Sequence, residues 1–260
     1  MNTPAADLRT ASERRVALIT GASRGIGAAT AGLAATRGYD LFLTYNHARK
    51  QAEAVAELAR RAGARVVLHQ AEMADGQAVE RIFSAFDQAF GRLDAVVNNA
   101  GITGPLKPLL KLERAELEQV FDVNVVACFI VAREAVRRMS TANGGKGGAI
   151  VNVSSRAAQL GGANEWVHYA ASKGAIDTFT VGLAREAGAL GVRVNAVSPG
   201  LIETEIHAAA GAPDRLQKLM SGVPLGRSGT AEEVAESVLW LLSEAASYVS
   251  GTNILVSGGR

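Results

Sequence analysis

The sequence predicts a single α/β domain built on a seven-stranded, mostly parallel, doubly wound sheet. Three observations carry this prediction. Short apolar runs alternate with longer segments of helical periodicity along most of the chain. A glycine-rich turn follows the first apolar run at once and leads straight into a small-residue helix. Clusters of asparagine, serine, proline and glycine fall just after other predicted strands, where sheets of this kind bind ligands.

The elements follow in order. Val16–Thr20 is an apolar run, as expected for a strand buried on both faces. The turn Gly21-Ala-Ser-Arg-Gly25-Ile-Gly27 leads into a helix rich in alanine. Asp40–Tyr45 reads as the second strand, followed by a charged helix over roughly 47–62. Ala64–Gln70 is the third strand. Val79, Ile82, Phe83, Phe86 and Phe90 stand at helical spacing over roughly 76–90, as core rather than ligand contacts. Leu93–Asn98 is the fourth strand and runs into Asn98-Asn99-Ala100-Gly101. A proline-bearing loop leads to a helix over roughly 112–140, with a break expected near Asp122–Asn124. After a glycine turn, Ala149–Val153 forms the fifth strand and ends at Ser154-Ser155. A helix through Tyr169 reaches about residue 188, and Val192–Val197 is the sixth strand, ending at Ser198-Pro199-Gly200. Roughly 203–221 is a helical insertion. Thr230 caps a helix over Ala231–Ser243, and Asn253–Val256 is the last strand. Residues 1–13 are polar and expected to be a disordered tail ahead of a domain spanning 14–260.

Composition excludes several classes. The chain has 260 residues and a formal charge of +2, from 27 basic and 25 acidic side chains with no basic cluster, so neither nucleic acid nor a membrane surface is implied. One cysteine, Cys128, cannot form a disulfide within the chain, and its apolar neighbours read as a buried, inert thiol. Four scattered histidines show no metal-ligand spacing, so no metal is expected. No signal peptide and no apolar run long enough to span a bilayer is seen, which places the expected protein in the cytoplasm.

The chemistry centres on Val167–Asp177, VHYAASKGAID. Tyr169 and Lys173 are four residues apart, and on a helix that spacing puts them on one face. A phenol has a pKa of ~10 and is a poor acid–base group at neutral pH. A neighbouring ammonium is expected to lower that value, giving a group that protonates a carbonyl oxygen or deprotonates a hydroxyl.

Together the motifs resemble the short-chain dehydrogenase/reductase family from about Val16 to Gly259. They are TGASRGIG (Thr20–Gly27), NNAG (Asn98–Gly101), Asn124 in DVNV, IVNVSS (Ile150–Ser155), YAASK (Tyr169–Lys173) and SPG (Ser198–Gly200). The resemblance implies a Rossmann-like fold, a nicotinamide cofactor, a homotetramer and a catalytic tetrad of Asn124, Ser155, Tyr169 and Lys173. In that tetrad Ser155 would hold the substrate oxygen near the Tyr169 hydroxyl. Lys173 would lower the Tyr169 pKa and bind the nicotinamide ribose, and Asn124 would hold a water that relays protons to Lys173. Cofactor contacts are expected at Gly21, Ser23, Arg24, Gly25, Ile26 and Gly27, at Asn46 and His47, and at Asn99, Ala100 and Gly101. Tyr169, Lys173, Pro199, Gly200, Ile202 and Thr204 complete the set. Two positions depart from the family pattern. Ser155 and Tyr169 are fourteen positions apart, one more than usual, so either loop 156–168 bulges or Ser154 takes the role, and Arg156 is an ordinary loop residue. Glu72-Met73 stands where the family often has an aspartate and a small apolar residue, so the adenine contact is not assigned.

An acid at the end of the second strand would grip the ribose 2′-hydroxyl of NAD. Tyr45-Asn46 stands there instead, with Arg24, His47, Arg49 and Lys50 nearby, which favours the 2′-phosphate of NADP. The expected function is an NADP(H)-dependent oxidoreductase moving hydride between nicotinamide and a small carbonyl or secondary alcohol substrate. A 3-oxoacyl-[acyl-carrier-protein] reductase and a sugar (glucose) dehydrogenase are close alternatives. A catalytically silent NADP-binding regulator is a distant one, since all four tetrad residues are present. Gln159, Asn164, Glu165, Trp166 and His168, with Ile206, His207 and Met220, are expected on the substrate side.

Overall fold

Seven short runs rich in valine, leucine, isoleucine and alanine form the strands of the computed structural model, which describes residues 14–205 and 214–260. They are β1 (Arg15–Ile19), β2 (Tyr39–Tyr45), β3 (Val66–Gln70), β4 (Ala95–Asn98), β5 (Gly148–Val153), β6 (Val192–Pro199) and β7 (Asn253–Val256). The expected tail at 1–13 and the centre of the insertion, with Ile206 and His207, lie outside the described residues. The strand order is β3-β2-β1-β4-β5-β6-β7. Every pairing is parallel, where a mostly parallel sheet was expected. Parallel neighbours need a crossover, and long connections carrying helices supply it.

Alternation along the strands builds two cores. Ala17, Ile19, Val97 and Val151 face one side, where they meet buried alanines of α1 (Gly25–Thr36) and α2 (Arg49–Arg61). Leu18, Val96, Ile150 and Val194 face the other. There they pack on Val79, Ile82, Phe83 and Phe86 of α3 (Ala78–Ala89) and on Val131, Ala132 and Ala135 further along the chain. The predicted phenylalanine stripe is therefore core.

The long helix expected over 112–140 does not break. It runs as α4 (Arg114–Phe121), a widened π turn over Asp122–Val126, and α5 (Ala127–Met139). The turn closes through Ala127 N–H donating to Asp122 O, five residues back, and it carries Asn124. Two helices flank the loop after β5: α6 (Ala157–Leu160) and α7 (Val167–Ala187). The insertion contributes α8 (Arg215–Leu219). The Thr230 cap is present at α9 (Ala231–Leu242) as a reciprocal capping box, with Glu233 N–H donating to Thr230 Oγ1 and Thr230 N–H to Glu233. No helix among the described residues is long and apolar enough to cross a membrane.

A buried polar chain ties the sheet to α7. Asn98 Nδ2 donates to Asn152 Oδ1 at 2.9 Å, and Asn152 Nδ2 donates to Thr180 Oγ1 at 2.9 Å. The Thr180 hydroxyl donates in turn to Ile176 O at 2.8 Å. Asn152 is fully buried, so its amide cannot trade these partners for water. Asn152→Ala is expected to destabilise the fold by about 2–3 kcal/mol, because it leaves the Asn98 amide unpaired in the interior. Urea unfolding measures this, and a loss below about 0.5 kcal/mol would contradict it.

Candidate active site

The site forms where the carboxyl ends of β1, β4, β5 and β6 open onto one cleft of about 690 Å³. At one end is the loop between β1 and α1. Thr44 O accepts from Ala22 N–H at 2.8 Å, and Asn99 Nδ2 donates to the carbonyls of Thr20 and Gly21 at 3.0 and 2.9 Å. Gly27 sits behind this loop, not in the cleft wall. A Cβ there would lie 2.4 Å from Gly21 O and 2.5 Å from Asn99 Nδ2, so only glycine lets helix and loop close. Asn99 therefore braces the loop with its side chain while lining the cleft. No side chain caps the N-terminus of α1, and its first residues, Gly25 and Ile26, line the cleft. Backbone close enough to touch a ligand, plus an uncapped helix N-terminus, fits a pyrophosphate.

Of the expected cofactor contacts, Gly21, Ser23, Arg24, Gly25, Ile26, Asn46, His47, Asn99, Ala100, Gly101, Tyr169, Lys173, Pro199, Gly200, Ile202 and Thr204 all line this cleft. Arg24 lies at its rim and pairs with Glu205 at 2.9 Å, both partly exposed. The end of β2 carries no acid, as the sequence indicated, but Glu72 reaches the same place from beyond β3. It accepts from Asn46 Nδ2 and lies 3.9 Å from the exposed His47 ring. Glu72 and Met73 both line the cleft. Sequence reading set Glu72 at the adenine position without assigning it a role, and missed its contact with Asn46 and His47 because that contact runs between neighbouring strand ends, not along one of them.

At the other end β5 meets α7. Both serines border the cleft, but Ser154 is buried with its Oγ donating to Lys173 O at 3.2 Å, whereas the Ser155 hydroxyl is the one that bonds the Tyr169 phenol. That places Ser155, not Ser154, across from Tyr169. The additional residue between them is taken up by α6 and a tight turn in which Glu165 N–H and Trp166 N–H both donate to Gly162 O. Arg156 is not an ordinary loop residue. Its N–H donates to Pro199 O at 2.9 Å and its Nε to Arg260 O at 2.6 Å, so it joins β5, β6 and the segment beyond β7.

Lys173 is buried, and its Nζ donates to Val153 O at 2.7 Å. It stands 5.8 Å from the centroid of the Tyr169 ring. Burial pushes the Lys173 ammonium down to about 8, against the pull of Cys128 and Asp177. Burial also pushes the Tyr169 phenol above its usual value, and the Ser155 hydroxyl pulls it back. The phenol is thus raised rather than lowered as the spacing suggested: desolvation dominates, and what opposes it is the Ser155 hydroxyl, not the Lys173 charge.

Asn124 is buried on the π turn and does not reach the cleft. Its Nδ2 donates to Ile102 O at 2.9 Å and to Ser172 Oγ at 3.0 Å, and its Oδ1 accepts from Ile102 N–H at 2.8 Å. Both amide hydrogens are spent, so the side chain braces the 101–102 backbone and α7 and has no hydrogen left for a water. A Cβ on Gly101 would lie 3.2 Å from Asn124 Oδ1 and 3.4 Å from Lys173 Nζ, which shows how closely the three pack.

The substrate side differs in part from expectation. Glu165 and Trp166 line the cleft; Gln159, Asn164, His168 and Met220 do not. Gln159 turns to Asp177, and the buried His168 ring packs against Gly104. Gln119, Leu160, Arg215 and Arg260 join the lining instead. The Cys128 thiol is pushed up to about 12 by burial, in keeping with an inert side chain. Among the described residues no group of three or more His, Cys, Asp or Glu side chains is arranged to hold a metal ion.

Comparison with known proteins agrees with this geometry. A family model described as enoyl-(acyl carrier protein) reductase matches residues 21–260. An uncharacterized oxidoreductase of Escherichia coli, YgfF, is 48% identical over 94% of this chain and 99% of its own length. The 3-oxoacyl-[acyl-carrier-protein] reductase FabG of Aquifex aeolicus is 37% identical over 94% of this chain and 96% of its own. A short-chain dehydrogenase from Burkholderia cenocepacia, solved in complex with NADP, superposes with a TM-score of 0.87 at 34% identity, over 95% of this chain and 97% of that one.

Proposed function

The chain belongs to the short-chain dehydrogenase/reductase family, an oxidoreductase of CH–OH and C=O groups, and on that premise we propose an NADP(H)-dependent carbonyl reductase or alcohol dehydrogenase working through Ser155, Tyr169, Lys173 and Asn124. The observation that carries the proposal is the meeting of the Ser155 and Tyr169 hydroxyls on one cleft wall, backed by the buried Lys173 ammonium. The cleft can hold a dinucleotide along the α1 N-terminus and the backbone of residues 99–101. When bound, that group supplies or accepts the hydride.

The chain's own residues supply the rest. Ser155 Oγ donates a hydrogen bond to the substrate oxygen and sets it beside Tyr169. In the reducing direction Tyr169 Oη gives its proton to that oxygen, which becomes the alcohol hydroxyl. A raised phenol pKa keeps this proton in place at neutral pH. The phenolate left behind is stabilised by the Lys173 ammonium, which Val153 O holds in position. Asn124 keeps α7 and the 101–102 backbone in register around Lys173.

NADP is favoured by Arg24 at the cleft rim and by the missing acid on β2. NAD is the second reading, favoured by Glu72 beside Asn46 and His47. A 3-oxoacyl-[acyl-carrier-protein] reductase is supported by the likeness to the Aquifex protein. A homotetramer is supported by apolar surface along the π turn, α5 and α7. Phe129 stacks on Phe179 with ring centroids 3.7 Å apart, and Phe129, Val126 and Val181 remain exposed.

Tyr169→Phe is expected to lower kcat by about 10²–10⁴-fold with NADPH binding intact. In the same assay the wild-type kcat/KM for reduction falls as pH rises through about 8, where Lys173 loses its charge while Tyr169 stays protonated. Full activity of the variant, or a flat profile to higher pH, would contradict the proton-donor role. Arg24→Ala should weaken NADPH far more than NADH in fluorescence titrations; equal losses would place the 2′-phosphate elsewhere. Light scattering should give a tetramer, and a persistent monomer at working concentration would refute that reading.

A further inference from the structure

The strand order divides the cleft. The glycine loop, Asn46 and Glu72 follow β1, β2 and β3 and occupy one half of the sheet. Ser155, Pro199 and Arg260 follow β5, β6 and β7 and occupy the other. Beyond Ser155, on the side away from the dinucleotide end, the wall holds Arg156, Arg215 and Arg260.

Two of these guanidinium groups are matched. Arg215 pairs with Glu165 and lies 4.5 Å over the Trp166 ring. Arg156 gives its Nε to Arg260 O and its Nη1 to Gln159 Oε1 at 3.1 Å. The Arg260 guanidinium has no carboxylate within ion-pair distance and no hydrogen bond among the described residues, although the residue is half-buried. Burial and the nearby charges of Arg215 and Arg156 disfavour its cation, with Glu165 opposing them. Even if the Arg260 main-chain oxygen is counted as a carboxylate, three guanidinium groups face two anions. A half-buried guanidinium beside like charges favours an anion that completes the site, and its planar fork suits a carboxylate or phosphate.

We infer that Arg260, flanked by Arg215 and Arg156, binds a negatively charged oxyanion group on the substrate, so that the enzyme acts on carbonyl compounds or alcohols carrying a carboxylate or phosphate. The inference rests on the carbonyl-reducing reading of the same cleft and narrows its substrate class. Arg156 directly follows Ser155, and its side chain touches the Arg260 backbone. The anion therefore sits a short reach from the reacting carbon, on the side away from the cofactor's phosphates.

Two matched pairs test this with NADPH: 4-oxopentanoate against its methyl ester, and dihydroxyacetone phosphate against dihydroxyacetone. In the wild type, kcat/KM for the charged member of one pair exceeds that for its neutral partner by roughly tenfold or more, mostly through KM. The pair that shows the preference identifies carboxylate or phosphate. Arg260→Gln brings the ratio to within about threefold of unity, and Arg260→Lys, which keeps the charge, retains part of it. Unchanged melting and NADPH binding confirm that the variants fold. Equal rates for charged and neutral members, or a preference that survives Arg260→Gln, overturn the inference and leave the reductase reading standing. Turnover of none of the four compounds counts against that reading instead. Calorimetric titration of the NADPH-loaded protein with 4-oxopentanoate and dihydroxyacetone phosphate then decides the anion site by itself. Binding lost in Arg260→Gln upholds the site, and no binding, or binding the variant keeps, overturns it.

Discussion

The end of β5 and helix α7 hold each other by reciprocal hydrogen bonds, and the active-site geometry depends on that clasp. Lys173 Nζ donates to Val153 O while Ser154 Oγ donates to Lys173 O. About two turns further along the helix, Asn152 holds Thr180. Together these bonds fix both the rotation and the height of α7 over the sheet. Ser155, next along the chain, is thereby set opposite Tyr169. A loop that grips a helix through buried groups cannot drift by a fraction of an ångström without stranding a donor or acceptor.

The same burial sets the chemistry. It lowers the Lys173 ammonium toward working pH and raises the Tyr169 phenol. The two proton affinities, nearly equal in water, are driven apart, so the phenol keeps its proton while the ammonium is poised near neutrality. A phenol that stays protonated yet stands beside a cation is suited to giving up its proton only when a substrate oxygen gains charge. Stability is spent on holding a poorly solvated ammonium, a common arrangement at sites that must move protons.

Much of the fold is legible in local pattern. Asn253–Val256 was read as a strand with its observed ends, and the Thr230 cap and the phenylalanine face of α3 followed from side-chain type and spacing. What local pattern could not give were contacts between elements distant in sequence. Glu72 meets Asn46 only because β2 and β3 lie side by side. Arg260 joins Arg156 across 104 positions. The direction of the Tyr169 shift was misjudged because spacing reports a neighbouring charge but not how dry the pocket is. Asn124 was placed correctly at a disturbance in its helix, yet the commitment of its amide to Ile102 and Ser172 is a packing fact that no motif states. The additional residue before Tyr169 was visible as an insertion, and only the turn around Gly162 shows how it is absorbed.

The central claim is that one phenol and one serine hydroxyl converge on a substrate oxygen in front of the dinucleotide. A crystal structure of the protein with NADP⁺ and an unreactive alcohol analogue tests it most directly. The account predicts Tyr169 Oη and Ser155 Oγ each at about 3 Å from the same analogue oxygen, with the carbon bearing it facing the nicotinamide ring. A complex in which Tyr169 Oη turns from that oxygen, or the nicotinamide lies outside the cleft between Gly101 and Tyr169, would contradict it.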